Sequence, residues 1–204
     1  MTDRDAVRRA YDELAETYAA ERSPGLVELD RLVEPLPEGA RVLDAGCGQG
    51  TPVLTALVGT VETIGLDFSG EQLRLAAENA PGAALVRGDM TSLPFSPNAF
   101  DAVTALHSLI HVPLAEHATV VEGFARVLSP GGLLLLTEGD DEWIGENPDW
   151  LGSGVEMRWE FAGLETTREQ LRRAGFEVLD TWHRRDELAD DGSGKPFLLA
   201  RLAR

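Results

Sequence analysis

Between Arg41 and Thr51 the chain reads Arg-Val-Leu-Asp-Ala-Gly-Cys-Gly-Gln-Gly-Thr, an apolar run ending in Asp44 and opening into three glycines, Gly46, Gly48 and Gly50. Such a turn lets backbone press against a ligand and aim free N–H groups at it. It reads as a nucleotide-like cofactor site. Its spacing departs from two familiar solutions. A dinucleotide fingerprint needs G-x-G-x-x-G/A, and Thr51 stands where the last glycine belongs; a phosphate loop needs Gly-Lys-Ser/Thr, and this stretch contains no lysine.

Other residues in the chain can serve such a site. Asp44 can orient the turn, cap it, or meet a cationic group through water. Asp67 ends a second apolar run, nineteen residues past Gly48, where a carboxylate can accept from both hydroxyls of a ribose. That device serves nicotinamide cofactors and other adenosine-bearing ones alike. Phe68 beside it packs either on a base or in the core. In Leu106-His-Ser-Leu-Ile-His111 the two histidines lie four apart. Neutral imidazole takes a proton near pH 7, so either is a candidate general base, His111 ahead of His107; a purely structural role is the alternative. No third ligand sits at metal spacing, so no zinc is expected.

The pattern D-x-G-x-G-x-G resembles the first motif of the class I S-adenosylmethionine-dependent methyltransferases. The likeness continues in order through Ile64-Gly-Leu-Asp67, Gly88-Asp89-Met90, Phe100-Asp101-Ala-Val103 and Leu128-Ser-Pro-Gly-Gly132. Five elements in one order are far more specific than one. Within that family the chain looks most like the small enzymes of ubiquinone/menaquinone-methyltransferase type. The resemblance implies S-adenosylmethionine as cofactor, S-adenosylhomocysteine as product, and in-line methyl transfer to a small-molecule acceptor. It also implies that Gly46, Gly48 and Gly50 flank the methionine part, with Cys47 between them as a spacer. Asp89 would meet the adenine amino group and Met90 the ring, although Met90 also suits plain core packing. Tyr18, ahead of Tyr11, would reach the methionine end from an N-terminal helix, and Leu106 completes the cofactor set. A NAD-dependent oxidoreductase and a catalytically silent S-adenosylmethionine-binding partner protein are the alternatives.

The elements that must hold these residues follow from periodicity. Val7, Tyr11, Leu14 and Tyr18 recur at helical spacing, with Thr2 and Asp5 placed like a capping box. Ser23-Pro24 opens a second helix striped by Leu26, Leu29, Val33 and Leu36. Strand and helix signals then alternate: strands at 41–45, 62–67, 83–87, 100–106 and 133–137, helices at 51–59, 69–80 and 114–128. Thr51-Pro52 reads as N-cap and first residue of the first of these helices, and Ser69 to Gln72 as another capping box. The 114–128 helix presents Leu114, Ala118, Val121, Phe124 and Leu128 on one side, and Ser129-Pro-Gly-Gly132 stops it. A helix at 167–174 precedes strands 176–182 and 196–202, whose polar loop 186–194 favours an antiparallel hairpin. The expected architecture is α/β: a Rossmann-like, doubly wound, seven-stranded sheet, mostly parallel, with a C-terminal antiparallel hairpin and N-terminal helices over the cofactor site. One domain, 1–204, divides into a helical cap (1–38), a cofactor core (40–138), an irregular acceptor lid (139–163) carrying Trp143, Trp150 and Trp159, and a C-terminal helix and hairpin (164–204).

Composition narrows the partners. The chain has 35 acidic against 18 basic residues, a net charge of −17, and Lys195 is its one lysine. Such a surface repels nucleic-acid phosphates and anionic lipids, so neither nucleic acid nor membrane is expected as a partner. The lone Cys47 fits a reducing compartment, and the cytoplasm is expected, with the protein a monomer or homodimer. The charge also suits a salty cytoplasm, in which salt would relieve self-repulsion.

Overall fold

Arg41–Ala45 (β1), Glu62–Asp67 (β2), Ala84–Arg87 (β3), Phe100–Ala105 (β4) and Leu128–Thr137 (β5) pair in parallel. Phe176–Arg185 (β8) and Gly194–Leu202 (β9) close the same sheet in the order β3-β2-β1-β4-β5-β9-β8, with β9 antiparallel to both its neighbours. The computed structural model describes residues 3–21, 29–185 and 194–203. Among these no helix is long and apolar enough to cross a membrane.

Leu133 to Leu136 show why the central strands lack polar alternation. Leu134 and Leu136 enter one core with Phe124, Val121 and Leu171, whereas Leu133 and Leu135 enter the opposite core with Leu32, Val53 and Leu57. Both faces of the sheet are covered, so both sets of side chains must be apolar. The first core lies under Leu114–Val127 (α5) and Leu164–Arg173 (α6), the second under Asp30–Val33 (α2) and Val53–Leu57 (α3).

Several local expectations change. Thr51 does not cap a helix: α3 begins only at Val53, after Pro52, and has no side-chain cap. Ser69 does cap Gly70–Asn79 (α4), its oxygen accepting from the Gln72 N–H, but the Gln72 side chain does not return the bond. On α5 the buried face runs through His117, Val120, Val121, Phe124 and Val127, with Ala118 exposed, so the stripe is rotated from the expected one. β5 starts at Leu128 rather than Leu133; its pairing with β4 shifts register where Ser129-Pro-Gly-Gly132 bulges out. Thr2, the Ser23-Pro24 cap, Leu26 and most of the 186–194 loop lie outside the described residues.

The largest correction concerns 139–163. Instead of an irregular connection it forms an antiparallel ribbon of Glu142–Trp150 (β6) and Val155–Ala162 (β7), with a register shift between Asn147 and Trp150 around Pro148. Proline has no N–H to give the ladder, which is why the irregularity falls there. The ribbon packs against Arg4–Glu21 (α1): Val7, Ala10 and Leu14 bury against Trp150 and Met157. Glu160 of β7 accepts from Leu114 N–H at 2.8 Å, supplying α5 with the N-terminal carboxylate that Pro113 cannot.

Candidate functional site

The order of strands reverses between β1 and β4, and ligands of open α/β sheets settle beyond the carboxyl ends at such a point. There the glycine turn is stitched to β2: Gly46 and Cys47 N–H both donate to Leu66 O, at 2.7 and 3.0 Å. Gly46 has φ +81°, and a Cβ added to it would stand 2.3 Å from Ser108 Cβ. Only glycine lets the 107–112 segment seat that closely, fastened by Ser108 Oγ donating to Ala45 O at 2.8 Å.

Asp67, 6% exposed, accepts from Gly48 N–H at 2.9 Å on one oxygen and from Ser69 N–H at 2.8 Å on the other. Burial pushes its carboxyl up to about 6 against the pull of these N–H groups. The Phe68 N–H adds to this pull, and the carboxylate borders the cavity. Asp44 accepts from Thr104 Oγ1 at 2.7 Å and is pushed up to about 7, first by burial and further by the neighbouring Asp67 charge. It faces a recess beside the main cavity with Cys47, Gln49 and Val53. Cys47 buries its sulfur among Leu54, Ala76 and Ala80, and burial holds the thiol well above its ordinary value. Gly50 is the exception in the expected set. It lines neither space; its φ of +84° is one that side chains rarely adopt, so this glycine serves the shape of the turn.

α1 covers the site with Arg4, Tyr11 and Tyr18, and the ribbon packs against α1. Arg4 pairs with Asp89 at 2.7 Å and lies 3.6 Å from Glu116, while Asp89 also accepts from Thr91 N–H at 2.8 Å. Asp12 accepts from Ser69 Oγ at 2.7 Å and from Arg8 at 2.6 Å. Its carboxyl is held low by these bonds, burial opposing them. Tyr11, Tyr18, Trp150 and Trp159 meet edge to face or tilted, with adjacent centroids 5.4 to 5.9 Å apart. Trp143, the third tryptophan expected in the lid, is 51% exposed and packs on Phe161 instead.

The Tyr11 hydroxyl reaches His111 Nε2 at 2.8 Å, and His111 Nδ1 lies 3.1 Å from Arg158 O. A carbonyl can only accept, so Nδ1 carries the proton and the Nε2 lone pair receives the Tyr11 O–H. His111 thus presents a basic nitrogen to the cavity through a tyrosine. His107 differs. It has φ +53°, its N–H donates to Thr137 Oγ1, and its ring meets the edge of Phe197 at 6.1 Å. The two histidines sit on a turn, with a single helical turn at Leu109–His111, rather than on one face of a helix.

The cavity gathers most of what the sequence nominated, Tyr18, Gly46, Gly48, Asp67, His107 and His111 all bordering it. Phe68, Asp89, Met90 and Leu106 lie along its walls. Arg4, Tyr11 and Gln72 are among the lining residues that the sequence did not nominate. Arg4 gave no signal before its partners were known. Tyr11 stood second to Tyr18, because helical spacing cannot tell which ring meets a histidine. Gln72 read as half of a capping box, yet its amide is buried on the cavity wall with neither atom paired.

Residues 42–132 match the methyltransferase domain family. An uncharacterised methyltransferase of Synechocystis is 30% identical over 69% of this chain and 68% of its own length. The sterol 24-C-methyltransferase of Aspergillus fumigatus is 31% identical over 79% of this chain and 45% of its own length. The chain spans about half the length of the first curated relatives it matches. In fold it resembles the crystal structure of a SAM-dependent methyltransferase from Methanosarcina mazei, with a TM-score of 0.74 at 21% identity, covering 87% of this chain and 98% of that one.

Proposed function

Because this chain belongs to the class I S-adenosylmethionine-dependent methyltransferase family, we propose that it methylates a neutral, largely apolar small molecule, leaving S-adenosylhomocysteine. The residues present suit the donor. Gly46 and Gly48 bring bare backbone to the cavity, and Asp67 borders it as an acceptor. Asp44, pushed up to about 7 by burial, is drawn to its charged form beside an ammonium group. Arg4 is the only Lys or Arg among the described residues lining the cavity, and two carboxylates already hold it, so nothing there grips a phosphate. The glycine spacing and the antiparallel β9 speak against the nicotinamide alternative.

The single observation that carries the mechanism is the Tyr11–His111–Arg158 chain opening on the same cavity as Asp67. When bound, the donor supplies a methyl group on a sulfonium leaving group, so the protein must align, exclude water and remove one proton. Tyr18 and Leu106 border both the main cavity and the recess, where they position the methionine end. Phe68 and Met90 would flank the donor's adenine and Asp89 would meet its amino group, while still holding Arg4. The acceptor's proton passes to the Tyr11 oxygen as the Tyr11 proton passes to His111 Nε2, with Arg158 O fixing the tautomer. His107 shapes the wall beside this base. The ribbon within 139–163 acts as the acceptor lid. The apolar lining of the cavity, with Tyr11, Tyr18, Phe68 and Leu106, favours an apolar acceptor, and Arg4, already paired with Asp89, leaves little to hold an anionic one. The Aspergillus relative, named for a sterol, points to the same polarity class.

Calorimetry with S-adenosylhomocysteine and with NAD tests the premise: the first should bind with one site per chain and the second should not. NAD binding without S-adenosylhomocysteine binding would overturn it. A panel of neutral hydroxylated acceptors with labelled donor then tests transfer. Donor binding with no turnover on any acceptor would favour the silent-partner alternative.

A further inference from the structure

We propose that Glu138 is a positioning residue for the methyl transfer: it clasps both feet of the β6–β7 ribbon and, through His117, the backbone beside His111, so that lid and base are seated together. This rests on the methyltransferase reading above. Glu138 follows β5 directly, and its Oε1 accepts from the Gly139 N–H at 3.0 Å where the chain enters the ribbon. The Ala162 N–H, where the chain leaves it, bonds the same carboxyl. Thr167 Oγ1 of α6 donates to Oε2 at 3.3 Å. The feet cross in near-contact. A Cβ on Gly163 would stand 2.8 Å from Glu142 N, and Leu164 N–H donates to Asp140 O at 3.1 Å. One side chain thus grips both ends of the lid.

His117 of α5 carries that grip to the base. Its Nε2 lies 2.9 Å from Val112 O, next in the chain to His111. A carbonyl only accepts, so Nε2 holds the proton and Nδ1 keeps a lone pair. That Nδ1 is buried without a hydrogen-bond partner among the described residues and lies 3.8 Å from Glu138 Oε2. The gap exceeds a hydrogen bond by about 1 Å. Burial pushes the Glu138 carboxyl up to about 7, and its neutral form has an O–H to give. An approach of α5 to β5 by about 1 Å lets that O–H donate to His117 Nδ1, whereas an ionised Glu138 offers only lone pairs. The charged groups facing the pair are Glu160 of β7, which favours protonation of His117, and Lys195 of β9, which favours ionisation of Glu138. His183 of β8 pairs with Asp140 at the ribbon's entry. His111 is therefore tied to the ribbon twice, directly by Arg158 O and through Val112, His117 and Glu138.

The test follows the four imidazoles by long-range proton–nitrogen NMR across a pH titration, assigned with His111→Gln and His117→Gln. In the native chain His117 Nδ1 should leave the hydrogen-bonded range as pH rises through about 7. His111 Nδ1 should show a step at the same midpoint besides its own titration. Glu138→Gln, whose amide donates at every pH, should abolish the shared step and leave that titration in place. A role in stability alone would not move the folded-state signal of His111. With an acceptor found by the panel above, Glu138→Ala should lower kcat about tenfold, with S-adenosylhomocysteine affinity changed less than about threefold. Glu138→Gln should recover most of that loss and flatten the pH profile. If Glu138→Ala fails to fold, the comparison of the native chain with Glu138→Gln decides. No shared step in the native chain, or one that survives in Glu138→Gln, overturns this assignment alone. Failure of the native chain to bind S-adenosylhomocysteine overturns the methyltransferase reading and this assignment with it.

Discussion

Glu138, 1% exposed at the end of β5, accepts from Gly139 N–H at 3.0 Å and lies 3.8 Å from His117 Nδ1, whose other nitrogen bonds Val112 O. Burial pushes its carboxyl from 4.5 up to about 7, against the pull of Gly139, Thr167 and Lys195, and burial lowers His117, so the pair is held neutral. A folded-state value above the unfolded one favours folding fully below pH 4.5, and that contribution is lost as pH rises through 7. Glu138→Gln mimics the protonated form permanently. Its stability relative to the native chain should therefore climb between pH 5 and 7 and level off above, by on the order of 1–3 kcal/mol. Thermal melts at pH 5 and pH 8 check this, and equal gaps at both would refute it. A second prediction concerns the base. Tyr11→Phe and His111→Ala should each lower kcat about 10²–10⁴-fold, with S-adenosylhomocysteine affinity changed less than about threefold. Single-turnover kinetics and calorimetry separate the two effects. At this scale the sequence disclosed residue types with their spacing, Asp67 and His111 among them. It hid the partners that give them roles, since Tyr11 and His111 are a hundred residues apart.

α1 and the β6–β7 ribbon act as one unit, because Val7, Ala10 and Leu14 of the one bury against Trp150 and Met157 of the other. Trp150 is the hinge of that contact, touching Tyr11, Tyr18 and Trp159. Trp150→Ala should cost about 3–5 kcal/mol of stability in urea. It should also weaken S-adenosylhomocysteine binding, because α1 would lose the surface that presses Tyr18 and Arg4 over the site. Unchanged affinity in a folded variant would show that α1 does not contribute. The parallel strands were legible as apolar runs bounded by turns, since burial on both faces demands such runs. The ribbon was not. β6 is mostly exposed and contains Gly145 and Pro148, so neither alternation nor propensity marks it as a strand. Its form comes from pairing with β7 and from packing of the two strands on α1 and α5.

The whole molecule carries a charge of −17, and its self-repulsion is long-ranged while its exposed ion pairs are individually weak. Salt screens both, and relief of the repulsion should win. The melting temperature should rise between 0.05 and 2 M KCl, continuing beyond about 0.2 M, where the Debye length already falls below about 8 Å. A flat profile would remove any link between this composition and a salty environment. Considered as a whole, the chain divides into what neighbours along it decide and what distant segments decide. The glycine turn, the acid closing β2, the Ser69 cap and the strand-and-helix alternation were determined locally, because backbone freedom, capping and burial pattern act within a few residues. The Tyr11–His111 relay, the Arg4–Asp89 pair, the orphaned Gln72 amide and the ribbon were decided by tertiary structure alone. Each depends on which surfaces meet once the sheet has closed, and no spacing along a single chain encodes the distance between two faces that pack.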